Sequence, residues 1–574
     1  MQKRWVEQVL LYPDKAEELC KSLGISRVLA RLLTQREVQS YQDAEYFFCP
    51  ELHHLHDPFL MKDMDRAISR IEDALERNEK ILIYGDYDVD GTTAVALVYS
   101  FFRGFYTNID FYIPDRYAEG YGISAAGIDY ASDHGFSLII ALDCGIKSMD
   151  QVSYGKEKHI DFIIADHHNP GDVLPEAAAV LDPKRPDCMY PFKELSGCGI
   201  GFKLIQAFAR KNSIPEGRIY CYLDLVAVSI ASDIVPIVGE NRVLTHHGLK
   251  KFNSDPCTGL KALISLSGNK GDFSVSDLVF QIGPRINAAG RIKHARDAVF
   301  LLISRSEEEA RQFSQQIDVQ NSQRRDFDSQ ITEEALAMIE SSEELKRRRT
   351  TVVYKEDWHK GVIGIVASRL TEKYYRPTVV LTRSNGMVAG SARSVLGYDL
   401  YEALNQCSEL FDRFGGHKYA AGLSMREENV PAFQARFEEV VASNIPTQLL
   451  TPELLIHEVL RLEEIDGKFY RILKRFAPFG PQNENPLFLS KGVQLSGYAD
   501  VVGKDHLKMK VVQGNSPAFD CIGFGLAGFH SLVSAGLSFD ICYSIEENVW
   551  RDRRSIQLNI KGIKMAEYSI ESVN

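Results

Sequence analysis

Four short apolar runs set the rhythm of the first half of the chain: ILIY at 81–84, IDFYI at 109–113, LIIAL at 138–142 and DFIIA at 161–165. Runs this apolar suit strands buried on both faces, and each is followed by a helical stretch. The pattern therefore predicts a parallel α/β sheet. Residues 1–75 read as an amphipathic helical arm with an acidic, aromatic-rich stretch at 41–50, expected to act as a lid or packing arm without chemistry of its own. Residues 304–349 are highly charged and lack glycine and proline. They predict one or two long helices bridging lobes, with a solvated surface as the leading reading and DNA contact by Arg324 and Arg325 as the other. A second α/β pattern opens at Thr351 and runs through GVIGIVASRLTEKY to the glycine-rich GGHKYAAGLSM at 415–425. Beyond Pro478 several short alternating runs predict a small barrel or sandwich. The expected organisation is an arm (1–75), a parallel-sheet domain (76–303), a helical connector (304–349), a smaller α/β domain (350–450) and a β-barrel domain (451–574).

Composition narrows the function classes. The chain has 574 residues, 45% hydrophobic and 25% charged, which suits several globular domains. No apolar span approaches the length needed to cross a bilayer. The N-terminus has charges on both sides of its few apolar residues and does not read as a signal peptide, so a cytoplasmic location without membrane attachment is expected. Ten cysteines are present with no C-x-x-C pair, which suggests neither a zinc ribbon nor a disulfide framework; Cys144 and Cys198 are expected to be buried thiols. The net charge of −12 does not exclude a nucleic-acid partner, because binding depends on local basic patches.

Candidate chemistry gathers where the apolar runs end. In open α/β sheets, functional groups cluster beyond the carboxyl ends of the strands. Asp86, Asp88 and Asp90 follow the first run, with Gly91 and Thr92 at a helix start. Asp143 follows the third, and Asp166-His167-His168 follows the fourth. Asp233, in ASDIVPI, follows another apolar segment. Any one aspartate could simply cap a helix. Their shared placement at one sheet edge instead points to a divalent-metal site, since carboxylates mixed with imidazole suit Mn²⁺ or Mg²⁺ in a two-metal phosphoester hydrolase.

At these residues the chain resembles the DHH phosphoesterase superfamily. YGDYDVDGTT (84–93), ALDCGI (141–146), IIADHH (163–168) and SDIVP (232–236) resemble its four motifs. IPDRYAEGYG (113–122) and GPRINAAGR (283–291) are similar to its branch of single-strand-specific 5′→3′ exonucleases. GVIGIVASR (361–369), GSARS (390–394) and GGHKYAAG (415–422) resemble the DHH-associated domain. FAPFGPQNENPLF (476–488) resembles the segment leading into that branch's OB-fold barrel. Position by position, the resemblance implies metal binding by Asp86, Asp88, Asp143, His167 and Asp233, and a supporting or substrate-facing role for His168 and Asp166. Asp90 would orient a ligand or a water from behind. Tyr84 departs from the histidine that many superfamily members carry there.

The resemblance also implies that Arg116, Arg285, Arg291, Arg393 and Ser368 hold phosphates; an arginine fork can pair with two phosphate oxygens at once. Gly415, Gly416 and His417 would let backbone amides approach a phosphate closely. In the barrel, Phe488, Tyr498, Phe519, Phe524 and Trp550 are possible base-stacking platforms, of which at most two are expected to serve. The run Trp550–Arg554 reads either as a phosphate-facing turn or as a solvated hairpin. The implied activity is two-metal hydrolysis of single-stranded DNA from its 5′ end to 5′ mononucleotides, in repair and recombination, beside a helicase and a single-strand-binding protein. The rivals are another DHH phosphodiesterase, acting on oligoribonucleotides or cyclic dinucleotides, and a non-catalytic replication scaffold.

Overall fold

The computed structural model describes residues 3–269, 271–550 and 553–566. The four apolar runs form strands Lys80–Gly85, Ile109–Tyr112, Phe136–Leu142 and Asp161–Ala165. A fifth, Ala179–Leu181, joins them in a wholly parallel sheet that begins with Ile109–Tyr112 and then runs through Lys80–Gly85, Phe136–Leu142, Asp161–Ala165 and Ala179–Leu181. Successive residues serve opposite faces, as the two-residue period of a strand requires. Ile81 and Ile83 enter one core with helices Val89–Arg103, Gly197–Lys211 and Leu223–Ser232. Leu82 and Tyr84 enter another with helices Ala125–Asp133 and Met149–Glu157. Burial on both faces is why these strands are apolar throughout.

The expected 1–75 arm is divided between two bodies. Helix Met64–Glu76 belongs to the core of the parallel-sheet domain. Helices Pro13–Leu23, Arg27–Thr34 and Tyr41–Phe48 instead pack into one core with the C-terminal barrel, and Arg4–Glu7 pairs in parallel with Glu453–Ile456. Hydrophobic spacing shows that a helix has an apolar face; it does not say what that face meets.

The connector is a single helix, Glu307–Ser341, of 35 residues, about 50 Å long at 1.5 Å per residue. It is not a fully solvated rod. Ala310 and Ile317 sit in the core of the first lobe, and Ile331, Ala335 and Ile339 in that of the second. Between them the buried Asp328 accepts from Arg369 Nη2 at 2.6 Å, and Arg324 donates to Asn321 at 2.7 Å.

The second lobe is a five-stranded sheet, Arg413–His417, Ala420–Met425, Met387–Arg393, Thr378–Ser384 and Thr351–Tyr354, parallel only at its last pairing. The C-terminal strands close on themselves: Phe488–Leu495 pairs with both Phe539–Trp550 and His506–Val512. Phe519–Gly523 and Arg553–Met565 complete the ring, so the barrel alternative holds over the sandwich. Closure removes free sheet edges. Among the described residues no helix is long and apolar enough to cross a membrane. Cys144 and Cys198 are buried free thiols.

One buried ion pair ties the chain before the sheet to the lobe it covers. Lys203 Nζ lies 2.6 Å from Glu240 Oε1, with both side chains at most 1% exposed. Tyr190 donates to the other Glu240 oxygen at 2.7 Å, and the amide of His56 donates to Oε1 at 2.8 Å. Removing one partner strands the other charge without solvent. Lys203→Met is therefore expected to cost about 3–5 kcal/mol in urea unfolding, and Lys203→Met with Glu240→Gln to recover most of it. A single substitution costing under about 1 kcal/mol, the range of exposed pairs, would show that solvent already screens this one.

Candidate metal centre and phosphate pocket

The strand ends build the site. After Lys80–Gly85 the chain turns sharply through Asp86–Asp88 into helix Val89–Arg103, where Asp88 acts as N-cap and accepts from the Gly91 amide at 3.0 Å. Gly91 is required here, because a Cβ would lie 2.4 Å from the Asp86 carbonyl oxygen. Asp143 takes φ 60°, a left-handed conformation that aspartate tolerates better than most residues. Its side chain packs on Gly197, where a Cβ would meet Asp143 Oδ1 at 2.8 Å.

His167 stands at the centre. Its Nε2 is 3.1 Å from Asp143 Oδ1, 3.6 Å from Asp233 Oδ2 and 3.7 Å from Asp90 Oδ2. Two groupings, Asp143–His167–His168 and Asp90–His167–Asp233, each bring ligand atoms within 4.8 Å of one another. Asp86 Oδ1, Asp143 Oδ1 and both ring nitrogens of His167 are buried without hydrogen-bond partners. Buried polar atoms are almost always satisfied, so open atoms in a carboxylate–imidazole cluster fit a cation; neither ligand grouping includes Asp86 or Asp88. Burial raises the carboxyls of Asp86 and Asp143 well above the usual range, and neighbouring aspartates raise them further. The same causes push Asp233 up to about 8.

The surrounding groups hold this centre in shape. Asp90 accepts from the Gly197 and Cys198 amides at 2.6 and 2.7 Å and from Ser229 Oγ at 2.6 Å. That is the orienting geometry expected of it, although one of its oxygens also lies in a ligand grouping. Asp166 accepts from Ile146 N at 2.9 Å and from His168 Nδ1 at 2.7 Å. Burial opposes ionisation of both, but their mutual pairing prevails: Asp166 is lowered and His168 raised to about 8. Tyr84, in the place of the family's histidine, is turned into the core, with its hydroxyl donating to the Gly122 carbonyl at 3.0 Å.

Sequence reasoning missed Asp182 and Gly197. Asp182 follows the fifth strand, is fully buried and leaves Oδ2 without a partner. Asp166 and His168 are among the charged groups that it faces. A three-residue strand gives too little periodicity to flag its end. The GCGIG run at 197–201 was the available signal for Gly197.

Beside these carboxylates, and sharing the Asp86–Asp88 turn through Tyr87, a cavity of about 400 Å³ opens between the two lobes, lined by Arg116, Arg291, Arg393, Arg413, Ser391 and Gly415 among others, with no carboxylate in its lining. Arg291 is lowered to about 9, by burial and then by the guanidinium groups of Arg116, Arg324 and Arg393. Burial and Arg116 lower Arg393 as well. Crowded guanidiniums without a counter-charge define an anion site. Gly416 has φ 156° at the adjoining hairpin, and the charges of His168 and Lys147 bear on His417 at its tip.

Two expected phosphate ligands stand apart. Arg285 pairs with Asp318 at 3.1 Å and donates to the Gln281 carbonyl at 2.6 Å, a helix-packing role outside the cavity. Ser368 donates to the Gly364 carbonyl of its own helix at 3.2 Å. In the barrel, Phe488 and Phe519 are core and cannot stack on bases, whereas Tyr498 and Phe524 are exposed by 77% and 60%. The Trp550 side chain and residues 551 and 552 lie outside the described residues.

Parallel sheet, acid-and-imidazole rim and second glycine-rich lobe together define a protein of the DHH class. Family profiles agree: residues 80–230 match the DHH family N-terminal domain, 349–443 the DHHA1 domain and 456–562 the RecJ OB domain. The chain is 36% identical over 561 residues to the single-stranded-DNA-specific exonuclease RecJ of Bacillus subtilis (strain 168), covering 97% of this chain and 70% of that protein. It is 32% identical over 560 residues to the RecJ of Escherichia coli (strain K12), covering 93% and 95%. The crystal structure of RecJ in complex with Mn²⁺ from Thermus thermophilus superposes with a TM-score of 0.84 at 25% identity, covering 98% of this chain and 80% of that one. A crystal structure of exonuclease RecJ bound to manganese gives 0.60 at 30% identity, covering 70% and 98%. The chain belongs to the RecJ family.

Because the open ligand atoms belong to crowded carboxylates, a divalent cation should stabilise the folded state by mass action, about 2.7 kcal/mol at a concentration one hundred times its Kd. The melting temperature is expected to rise with Mn²⁺, and Asp143→Ala to abolish the rise. A wild-type melting temperature indifferent to Mn²⁺ would contradict the metal assignment.

Proposed function

We propose that the protein is a metal-dependent exonuclease that hydrolyses single-stranded DNA in the 5′→3′ direction, releasing 5′ mononucleotides. The observation that carries this reading is the presence of two sites of opposite charge, a carboxylate–imidazole cluster and an arginine cavity without a carboxylate in its lining. The first suits divalent ions and the second a terminal phosphate. The RecJ OB domain match supports a polynucleotide rather than a cyclic dinucleotide or a short oligoribonucleotide.

Arg116, Arg291 and Arg393 would receive the 5′ phosphate, with the exposed backbone of Gly415 beside them. Asp86, Asp88, Asp143, His167 and Asp233, with Asp90 beside them, would hold two ions, Mn²⁺ or Mg²⁺. Bound there, the ions supply Lewis acidity that activates water and stabilises the charge on the leaving oxygen. Water attacks the first internal phosphorus, the bond to the 3′ oxygen of the terminal nucleotide breaks, and that oxygen takes up a proton. His168, whose Nδ1 pairs with Asp166 at 2.7 Å, stands beside the cluster and would supply that proton. The shortened strand again ends in a 5′ phosphate, the same ligand for the same arginines, so the register repeats.

Beyond the cleft, Tyr498 and Phe524 offer stacking surfaces, and Lys508 and Lys510 point outward from the barrel. Stacking with a basic track grips a single strand without reading its sequence. A helicase and a single-strand-binding protein are the partners this activity would call for, since a single-stranded substrate needs the duplex opened and the strand kept extended. The setting would be DNA repair and recombination in the cytoplasm.

The test is digestion with Mn²⁺ of a single-stranded oligonucleotide labelled at either end. Immediate release of labelled mononucleotide from the 5′ end, lost in Asp143→Ala, is the expected result. Release from the 3′ end would overturn the polarity, and binding without cleavage would favour a scaffold. Arg393→Ala is expected to raise KM for 5′-phosphorylated strands about 10–100-fold, the loss of a charge-assisted hydrogen bond, and to change little for 5′-hydroxyl strands. Equal loss on both substrates would remove Arg393 from the phosphate site.

A further inference from the structure

Among the candidate ligands, Asp233 is one that no strand of the sheet carries. It closes the C-terminal end of helix Leu223–Ser232, so the loop after it decides where its carboxylate points. That loop starts with Ile234 at φ 61° and continues through Pro236, whose ring fixes its own φ. It is braced from outside the catalytic lobe. The Ile237 amide donates to the Pro481 carbonyl at 2.8 Å. The Ile237 side chain, 0% exposed, packs so closely on Gly480 that an added Cβ would lie 2.4 Å from its Cδ1 and 2.9 Å from its Cγ1.

Gly480 and Pro481 belong to the turn Phe476–Asn483 that leads into the barrel, and this turn is itself held rigidly. Arg242, on the helix that follows the Asp233 loop, donates to the carbonyls of Phe476 at 2.8 Å, Ala477 at 2.9 Å and Phe47 at 3.0 Å. Asn483 Nδ2 donates to the carbonyls of Phe476 and Pro478 at 2.9 and 2.8 Å, and Arg36 Nε donates to Asn483 Oδ1 at 2.6 Å. The brace on Ile237 is therefore a rigid block, not a loose flap.

We propose that the turn Phe476–Asn483 is a positioning element of the metal site: seated on Ile237, it sets the loop that aims Asp233. The barrel domain then contributes to metal affinity as well as to the grip on DNA. The inference rests on Asp233 as a metal ligand and deepens that reading. A ligand's supporting shell is worth about 10–100-fold in metal affinity, and displacement by a fraction of an ångström suffices to lose it.

Calorimetric titration of the full chain with Mn²⁺ tests this, alongside binding of a single-stranded oligonucleotide in the presence of a chelator. Gly480→Ala is expected to weaken Mn²⁺ binding by about tenfold or more and to leave oligonucleotide binding unchanged. Adding Ile237→Ala, which makes room for the new methyl group, should restore most of the metal affinity. Ile237→Val, which deletes only the Cδ1 that touches Gly480, is the milder variant should the first fail to fold, and should weaken Mn²⁺ several-fold. Unchanged Mn²⁺ affinity in the folded variants overturns the proposal. So does a joint loss of metal and oligonucleotide binding that the second substitution does not relieve. A wild-type chain that binds Mn²⁺ with this dependence but leaves single-stranded DNA intact defeats the exonuclease reading alone.

Discussion

Like charges held together away from water are the constraint on which this molecule turns. Asp86, Asp90 and Asp143 are buried, Asp88 and Asp233 partly so, and the imidazole of His167 stands among them. At an effective dielectric constant near 20, two unit charges about 4 Å apart repel by about 4 kcal/mol. Left to relax, such a cluster would spread or take up protons. The architecture prevents the first: strands buried on both faces fix the turn positions, Asp90 is held by two amides and a hydroxyl, and Asp143 is kept in a left-handed conformation against Gly197. Rigid crowding of this kind is a standing demand for cations.

The opposite pole follows the same logic with the sign reversed. Burial and neighbouring guanidiniums depress the proton affinity of Arg291 and Arg393 in a cavity whose lining has no carboxylate. Neither pole is visible in the overall charge of −12, which averages them with the solvated surface. Gathering the two signs into separate clusters gives the cleft a direction: a strand with a terminal phosphate has one orientation in which both poles are satisfied.

Much of this was legible in the sequence, for reasons that particular residues make plain. The strands at 81–84, 109–113, 138–142 and 161–165 declared themselves because parallel strands are apolar on both faces, and polar residues at their ends then located the rim. The strand Ala179–Leu181, and with it Asp182, was too short to show a period. Arg285 has the same residue type and motif setting as Arg291, yet Asp318 occupies its guanidinium; a motif fixes identity, not the partner a long side chain finds. The aromatic residues of the barrel divide by strand alternation rather than by type. Phe519 opens a strand with the alternating burial of FDCIG, whereas Phe524 falls just beyond its end.

The shared core of the N-terminal helices and the barrel has a consequence for how the protein is made. Ala16, Leu29, Leu33 and Phe47 share one core with residues drawn from 460–563. At translation rates of about 5–20 residues per second, those partners emerge on the order of 20–90 s later. During that interval these helices lack the barrel half of their core, while the parallel-sheet lobe behind them can already fold. Closing a contact of such sequence separation is slow even once the chain is complete. Helices made well before the barrel are thus among the last elements to reach their native partners, and a nascent-chain chaperone has a defined stretch of sequence and a defined interval in which to act.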